Sequence, residues 1–523
     1  MAHIQRILLI CLIPLFSHSQ VFNYSTLDFN NVKSQVNDEG AFFFPSASNS
    51  LGYEIPKGGG VSSIYCGSYF FGGYDALGQL HLSGSMYNHD NVSSGDGLHS
   101  GPIANQNAYA SVQYSNLYQN SIWNVASADI DNHIANFQNS GYVIPSAIAT
   151  WPGNGASSLG VANQLAPYID LNNNGVYEPN LGDYPDIRGD EAVYVIMNDK
   201  SYLPDADAMT IEVHAMFYQF SSGNYLNNTT FLNLRVFNRS NTTYTNYRQA
   251  LIMDFDIGNF SDDYVGCYAP NNVLFGYNGD LIDEVNAGNI GYGTSIPSQG
   301  VVSLSHDLYS AGPYGQGGQT FPDELGTWLM MNGQDYNGSY WTDLNSLPTL
   351  FKWNGNPNIP TDWHELSLNN PKGDRRGIMT IQEPNLPAGG SICTDYAFIY
   401  DRSAGPFENA QNVIYIADAI RNFYQSSDFF PCQSGVFSAV NHIEENTAAS
   451  VFPNPSNGQF TIEMAQSSAY SIRVTDALGK IVHTEHFIGK SANIRLNQGV
   501  SQGVYFATID SELGTFTHKV VIE

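Results

Sequence analysis

Residues 450–464 read SVFPNPSNGQFTIEM. Pro453 and Pro455 fix φ and stiffen the approach. Asn457-Gly458 is a strong turn signal. Phe460, Ile462 and Met464 then alternate with polar residues, the period of a half-buried strand. The same pattern runs to the end of the chain. Tyr470, Ile472 and Val474 alternate, Asp476-Ala477-Leu478-Gly479 turns, and Ile481-Val482 opens another strand. Ile494 and Leu496 mark a short one, Gly503 precedes Val504 to Ile509, Gly514 turns, and Phe516, His518, Val520 and Ile522 finish. Strands at this spacing within roughly 75 residues predict a small β-sandwich.

This stretch resembles the type A sorting domain of Bacteroidetes type IX secretion cargo. The matching residues are Phe452-Pro453-Asn454-Pro455, Gly458, Val474 through Gly479-Lys480, Gly503-Val504-Tyr505 and Lys519-Val520-Val521. The resemblance covers residues 450–523. It implies a diderm bacterium, handling by the type IX translocon and sorting machinery, and release from or attachment to the outer cell surface. It also implies removal of the domain on export.

Working outward, residues 441–449 form a polar linker. At the other end, residues 1–19 read as a signal peptide. His3 and Arg6 make a short polar start. Ile7 to Phe16 is an apolar run shorter than the ~20 residues that span a bilayer. Ser17 and Ser19 place cleavage before Gln20. Leu9 and Ile10 are too large for a lipidation site at Cys11. No later run is long enough for a transmembrane helix. Cys66, Cys267, Cys393 and Cys432 remain, which permits two disulfides in three connectivities or leaves buried thiols.

The 523-residue chain is long enough for about three domains at ~100–200 residues each. Charged residues are 13% of it, about half the ~25% usual in soluble domains. Polarity comes instead from Asn, Ser, Thr, Tyr and Gly, which suits pleated surfaces and turns. The formal charge is 19 − 48 = −29. Nucleic acid needs basic surface to displace counterions, so it is excluded as a partner, and anionic membranes and polyanionic polysaccharides are disfavoured likewise. Divalent cations are the natural partners of such a surface. The plain alternative is solubility and self-repulsion.

The body, residues 20–440, reads as mainly β with minor helices, in sandwich-like sheets. We divide it into 20–205 and 206–440. Tyr69 to Tyr74 and Leu80 to Met86 flank Asp75-Ala76-Leu77-Gly78 as a hairpin. Ile211 to Phe220, Phe231 to Phe237 and Ala250 to Ile257 read as strands. Ile122 to Asn136 and Val413 to Tyr424 read as helices. Gly182-Asp183-Tyr184-Pro185, Gly189-Asp190, Asn198-Asp199, Asp262 to Cys267 and Gly373 to Arg376 resemble a long module of uncharacterised exported Bacteroidetes proteins. That resemblance implies no activity.

Within 170–190, Asp170, Asn172 and Asn174 take alternate positions before Gly175. This is the first half of an EF-hand-type calcium loop. The Val176 carbonyl falls at the seventh position and Glu178 at the ninth. Leu181 replaces the bidentate Glu at the twelfth, and Asp183, Asp186 or Asp190 is available to substitute. No exiting helix follows, so we expect a calcium loop outside the EF-hand fold. Its alternative is an Asn-rich turn held by Asx hydrogen bonds. A second, weaker metal candidate is Asp254, Asp256, Asp262 and Asp263. The Asp-Phe-Asp alternation puts two like charges on one strand face, where they repel unless a cation or Arg intervenes. The alternative is a solvated strand end.

His364-Glu365 opens like a zinc-protease HExxH, but Leu368 stands where the second His belongs. No GxSxG, P-loop or dinucleotide fingerprint is present. Trp341, Trp353 and Trp363 lie in one Asn- and Asp-rich region, either as sugar platforms or as core. We expect a calcium-stabilised, non-enzymatic adhesion or envelope-interaction protein whose ligand is an extracellular glycan or protein. The rivals are a secreted glycan hydrolase, which needs only two suitably spaced carboxylates, and a surface carbohydrate-binding module.

Overall fold

The computed structural model describes residues 23–522 apart from 47–49, 85, 88–96, 120, 201–207, 286–289, 316–321, 427–431, 433–448, 477–480, 497–499 and 512–513. The signal-peptide reading, its cleavage position and nearly all of the linker lie outside those residues.

Two large antiparallel sheets form the centre of the body, beside a four-stranded sheet of Tyr24–Leu27, Lys33–Asn37, Tyr53–Glu54 and Ser62–Ile64 and a two-stranded one of Tyr168–Ile169 and Tyr184–Pro185. The larger runs Asp263–Tyr268, Val273–Asn278, Ser298–Ser303, Ser391–Asp401, Thr230–Asn238, Ile211–Gln219 and Glu191–Asn198, with His99–Ser100 and Trp123–Ala126 both paired to the last. The smaller runs Ser310–Pro313, Arg375–Leu386, Tyr244–Phe255, Cys66–Tyr74 and Ala41–Phe42, with Leu80–Ser83 also paired to Cys66–Tyr74. Val195, Val213, Leu234 and Val236 of the first share one core with Leu251, Met253, Met379 and Phe71 of the second. Strands from both sides of residue 205 occupy both sheets, and the proposed division falls between two adjacent strands, Glu191–Asn198 and Ile211–Gln219.

The larger sheet is buried on both faces. Its other side, with Tyr194, Met216, Tyr218 and Phe275, packs against the helix Pro406–Ser426 and the segment around Trp123 and Trp151. That explains why every residue of Ile211–Gln219 is buried and why these strands read as dense apolar runs. In the helix, Asn409, Ala410, Val413, Ile414, Ala417, Ile420 and Tyr424 make the buried stripe, which is the i, i+3, i+4 spacing of one face. The far side of the smaller sheet packs Phe70, Ile252 and Ile378 against Trp328, Met330 and Trp341.

Two sequence expectations change in detail. The segment 122–136 is not one helix: Trp123–Ala126 is a strand, with Trp123 and Val125 turned into the core, and the helix is Ser127–Asn136. Of the four cysteines that follow Cys11, Cys393 and Cys432 form a disulfide, while Cys66 and Cys267 are buried thiols.

The C-terminal unit is a single antiparallel sheet folded on itself. The long strand Gln459–Asp476 pairs with Ala449–Phe452 in its first half and with Gly503–Ser511 in its second. It pairs with Ile481–Arg495 along most of its length, with a register shift between Glu463 and Ser468. Phe460, Ile462, Ile472, Val474, Ile494, Val520 and Ile522, from both halves, form one core. Asn454 ties the ends of this unit together. Its Oδ1 accepts from the Val521 N–H at 2.7 Å, and its Nδ2 donates to the Lys519 carbonyl at 2.7 Å. Gly458 turns at φ 88°, and the Tyr505 hydroxyl donates to the Ser501 carbonyl. Gly479 and Lys480 lie outside the described residues.

Candidate metal centres

The Asp170 loop rises from two short paired strands, Tyr168–Ile169 and Tyr184–Pro185. Its crown is a run of side-chain-capped turns. Asn172 Oδ1 accepts from the Asn174 N–H at 3.0 Å, Asn174 Oδ1 from the Val176 N–H at 2.8 Å, and Asp170 Oδ2 from the Gly175 N–H at 2.7 Å. Glu178 Oε2 accepts from Asn174 Nδ2. Gly175 turns at φ 77°, a conformation that glycine adopts without strain. Asp183 is fully buried beneath the crown. Its Oδ1 accepts from the Leu171 N–H at 2.9 Å and its Oδ2 from the Glu178 N–H at 2.7 Å, so one carboxylate pins both arms. Asp186 pairs with Arg188, and Asp190 accepts from the Ser221 N–H. Of the three downstream acids, Asp183 is therefore the one bonded to the loop. Asp170 Oδ1 is buried with no hydrogen-bond partner.

The second group assembles differently from its sequence reading. Asp254 and Asp256 are joined by Asp374, and one carboxylate oxygen from each lies within 4.8 Å of the others. The reason is register: Asp254 pairs with Arg376 and Phe255 with Arg375 across the ladder, which sets Asp374 beside Asp256 at its end. Arg376 Nε lies 3.4 Å from Asp254 Oδ1, and its Nη2 lies 3.0 Å from Asp374 Oδ2. The Tyr87 hydroxyl donates to Asp254 Oδ2. The Asp254 carboxyl is pushed up to about 6 by burial, which outweighs the pull of Arg376. Burial and then the Asp254 charge push Asp256 well above the usual carboxylate range.

Asp262 and Asp263 stand beyond the turn that leaves this strand. Asp263 begins a strand of the larger sheet, is fully buried, and accepts from the Ile257 N–H at 2.9 Å. Asp262 is 5% exposed, and neither of its carboxylate oxygens has a hydrogen-bond partner. Burial and then the neighbouring Asp283 push it up to about 7. Asp283 itself accepts the N–H groups of Asn259 and Tyr292.

His364 and Glu365 are both about 1% exposed. Glu365 accepts from Arg375 and from the Val265 N–H, and His364 Nε2 meets the Ile359 carbonyl. They pack one segment against the sheet. Of Trp341, Trp353 and Trp363, Trp341 is a core residue like Trp123, Trp151 and Trp328, while Trp353 and Trp363 are half-buried, Trp353 packing against the core between the two large sheets.

Residues 450–523 match the family model described as secretion system C-terminal sorting domain. The chain is thus a cargo protein carrying a type IX secretion sorting tail, exported to the cell surface or the extracellular space, and the tail implies contact with that secretion machinery. No helix among the described residues is long and apolar enough to cross a membrane. None of the curated proteins matches the chain. Among solved structures it is similar to a polysaccharide lyase at 7% identity and TM-score 0.18, covering 68% of this chain and 38% of that one. It is also similar to dimeric latent PorU from Porphyromonas gingivalis at 10% identity and TM-score 0.13, covering 63% of this chain and 31% of that one.

Proposed function

We infer that the exported body is a non-enzymatic, calcium-stabilised β-protein of a diderm bacterium of the Bacteroidetes, serving adhesion or envelope interaction through an extracellular glycan or protein ligand. The observation that carries the calcium reading is the Asp170 loop. Its crown is already turned, Asp183 holds both arms, and Asp170 Oδ1 is buried without a partner. Calcium takes six to eight oxygens at ~2.3–2.6 Å, and Asp170, Asn172, Asn174, Glu178 and the Val176 carbonyl offer that class of donor. Amides at two positions weaken such a site, which calcium at extracellular, millimolar levels tolerates.

The test is thermal unfolding of the full chain in millimolar calcium and then in excess chelator. A ligand that binds only the folded state raises the midpoint by mass action. Calcium should raise it, and Asp170→Ala should remove the share that belongs to the loop. An unchanged calcium response in Asp170→Ala would refute the loop as a calcium site, and cleavage of glycans by the purified chain would refute the non-enzymatic reading.

A further inference from the structure

The smaller sheet ends in a charge arrangement that the Asp170 loop does not share. Successive residues of a strand alternate faces, so Asp254 and Asp256 lie on one side, with Arg376 opposite Asp254 and Asp374 beside Asp256. Like charges facing across a ladder destabilise it. Three carboxyl groups thus share one guanidinium. The partners are divided unevenly. Asp254, 3% exposed, has Tyr87 and Arg376, and Asp374 has Arg376 at one oxygen. Asp374 Oδ1 is buried without a hydrogen bond.

A second observation comes from the facing sheet. Asp263 is fully buried beside Asp256, the carboxylate whose charge weighs most on it, and its Oδ1 has no hydrogen-bond partner. Its other oxygen is fixed by the Ile257 N–H, which belongs to the residue after Asp256. Buried carboxylates with open lone pairs, packed against like charges, are costly unless a counter-charge joins them. The sulfur nearest this corner does not compete: Cys66 lies opposite Asp254 in the ladder, and burial, then the Asp254 charge, hold its thiol protonated.

We propose that Asp254, Asp256 and Asp374 bind one hard divalent cation of the calcium class. Oxygen donors alone select such ions over zinc or copper. Arg376 and Tyr87 position the outer oxygens of Asp254 and Asp374, leaving Asp256 to close the site. The site does not depend on the Asp170 loop, and the two readings fail separately.

The experiment is a calcium titration of the full chain carrying Asp170→Ala, read by thermal unfolding, with magnesium in parallel. Calcium should still raise the midpoint, by about 2–4 °C at roughly a hundredfold excess over its dissociation constant. Adding Asp256→Asn should abolish that residual shift. A residual shift that survives Asp256→Asn overturns the proposal, as does the absence of any residual shift. A response to magnesium but not calcium overturns the calcium assignment. Terbium(III) gives a direct second readout, since a bound ion beside Tyr87 is excited through that ring. Asp256→Asn should lose that tyrosine-sensitised emission, and emission retained in full overturns the site. Should Asp256→Asn not fold, Asp374→Asn carries the same two measurements.

Discussion

The two acidic regions of the body invert each other. The Asp170 loop has the spacing of a metal site, yet most of its oxygens already accept N–H groups of its own backbone. The corner at Asp254, Asp256 and Asp374 has no such spacing, yet its carboxylates face one another with one guanidinium among them. A turn rich in Asp and Asn satisfies itself, because such side chains reach the N–H two residues on. A strand end does not, because its backbone N–H groups are committed to the ladder. What the two regions share is an oxygen left without a donor, Oδ1 of Asp170 in the loop and Oδ1 of Asp374 at the corner, and that open oxygen, more than the spacing, is the sign of a cation.

Substitutions can break this contrast. The largest effect should come from Asp183→Ala, which removes a buried carboxylate from two backbone donors. At ~1.5–3 kcal/mol for each charged hydrogen bond, chemical denaturation should show a loss of about 3–5 kcal/mol. A loss as small as that of an exposed residue would mean the loop is not held from below.

Next is the pH dependence without calcium. Asp254 and Asp262 have native values near 6 and 7, above the ~3.9 of an unfolded Asp. The native state therefore holds extra protons. This contribution is complete below about pH 4 and is lost as pH rises through 6 to 7. Between pH 7.5 and 5 the chain should gain on the order of 1–2 kcal/mol relative to Asp262→Asn. Denaturation at the two pH values checks this, and equal slopes would remove the charge demand from that side of the contrast.

Asp170→Ala in chelator should cost about 1 kcal/mol, the value of one hydrogen bond to Gly175, measured by the same denaturation. Asn174→Ala, on the exposed crown, should stay within about 0.5 kcal/mol. If it costs more than Asp170→Ala, the crown and not the buried Asp183 holds the loop.

The strands of the body were legible because burial on both faces leaves dense apolar runs, as in Ile211–Gln219. Of the helix Pro406–Ser426, the part from Val413 to Tyr424 was legible from its apolar stripe, and the first two turns were not. Trp123 and Val125 were misread as helical because a short apolar run fits either period, and Ser127 is where the chain turns from one to the other. Asp254 and Asp256 could be paired from their alternation alone. Asp374 could not be added, because its place beside Asp256 depends on the register between two strands far apart in sequence. Asp183 was one of three available acids, and only the pairing of Tyr168–Ile169 with Tyr184–Pro185 singles it out. The cysteine pairing was open for the same reason, since contact between strand Ser391–Asp401 and Cys432 is a property of the folded chain.

That disulfide has a mechanical consequence. Cys432 is the last described residue before the linker, and it is bonded to Cys393 in a central strand of the larger sheet. Among the described residues of the body, a pull transmitted from its C-terminal side reaches Cys432 first. The load then crosses the sulfur bridge into a strand hydrogen-bonded on both flanks. The helix Pro406–Ser426 lies inside the covalent loop and is bypassed. A body held from its C-terminal side against flow would thus bear the load on its sheet and keep its helix seated, and reducing agent would shift that load onto the helix.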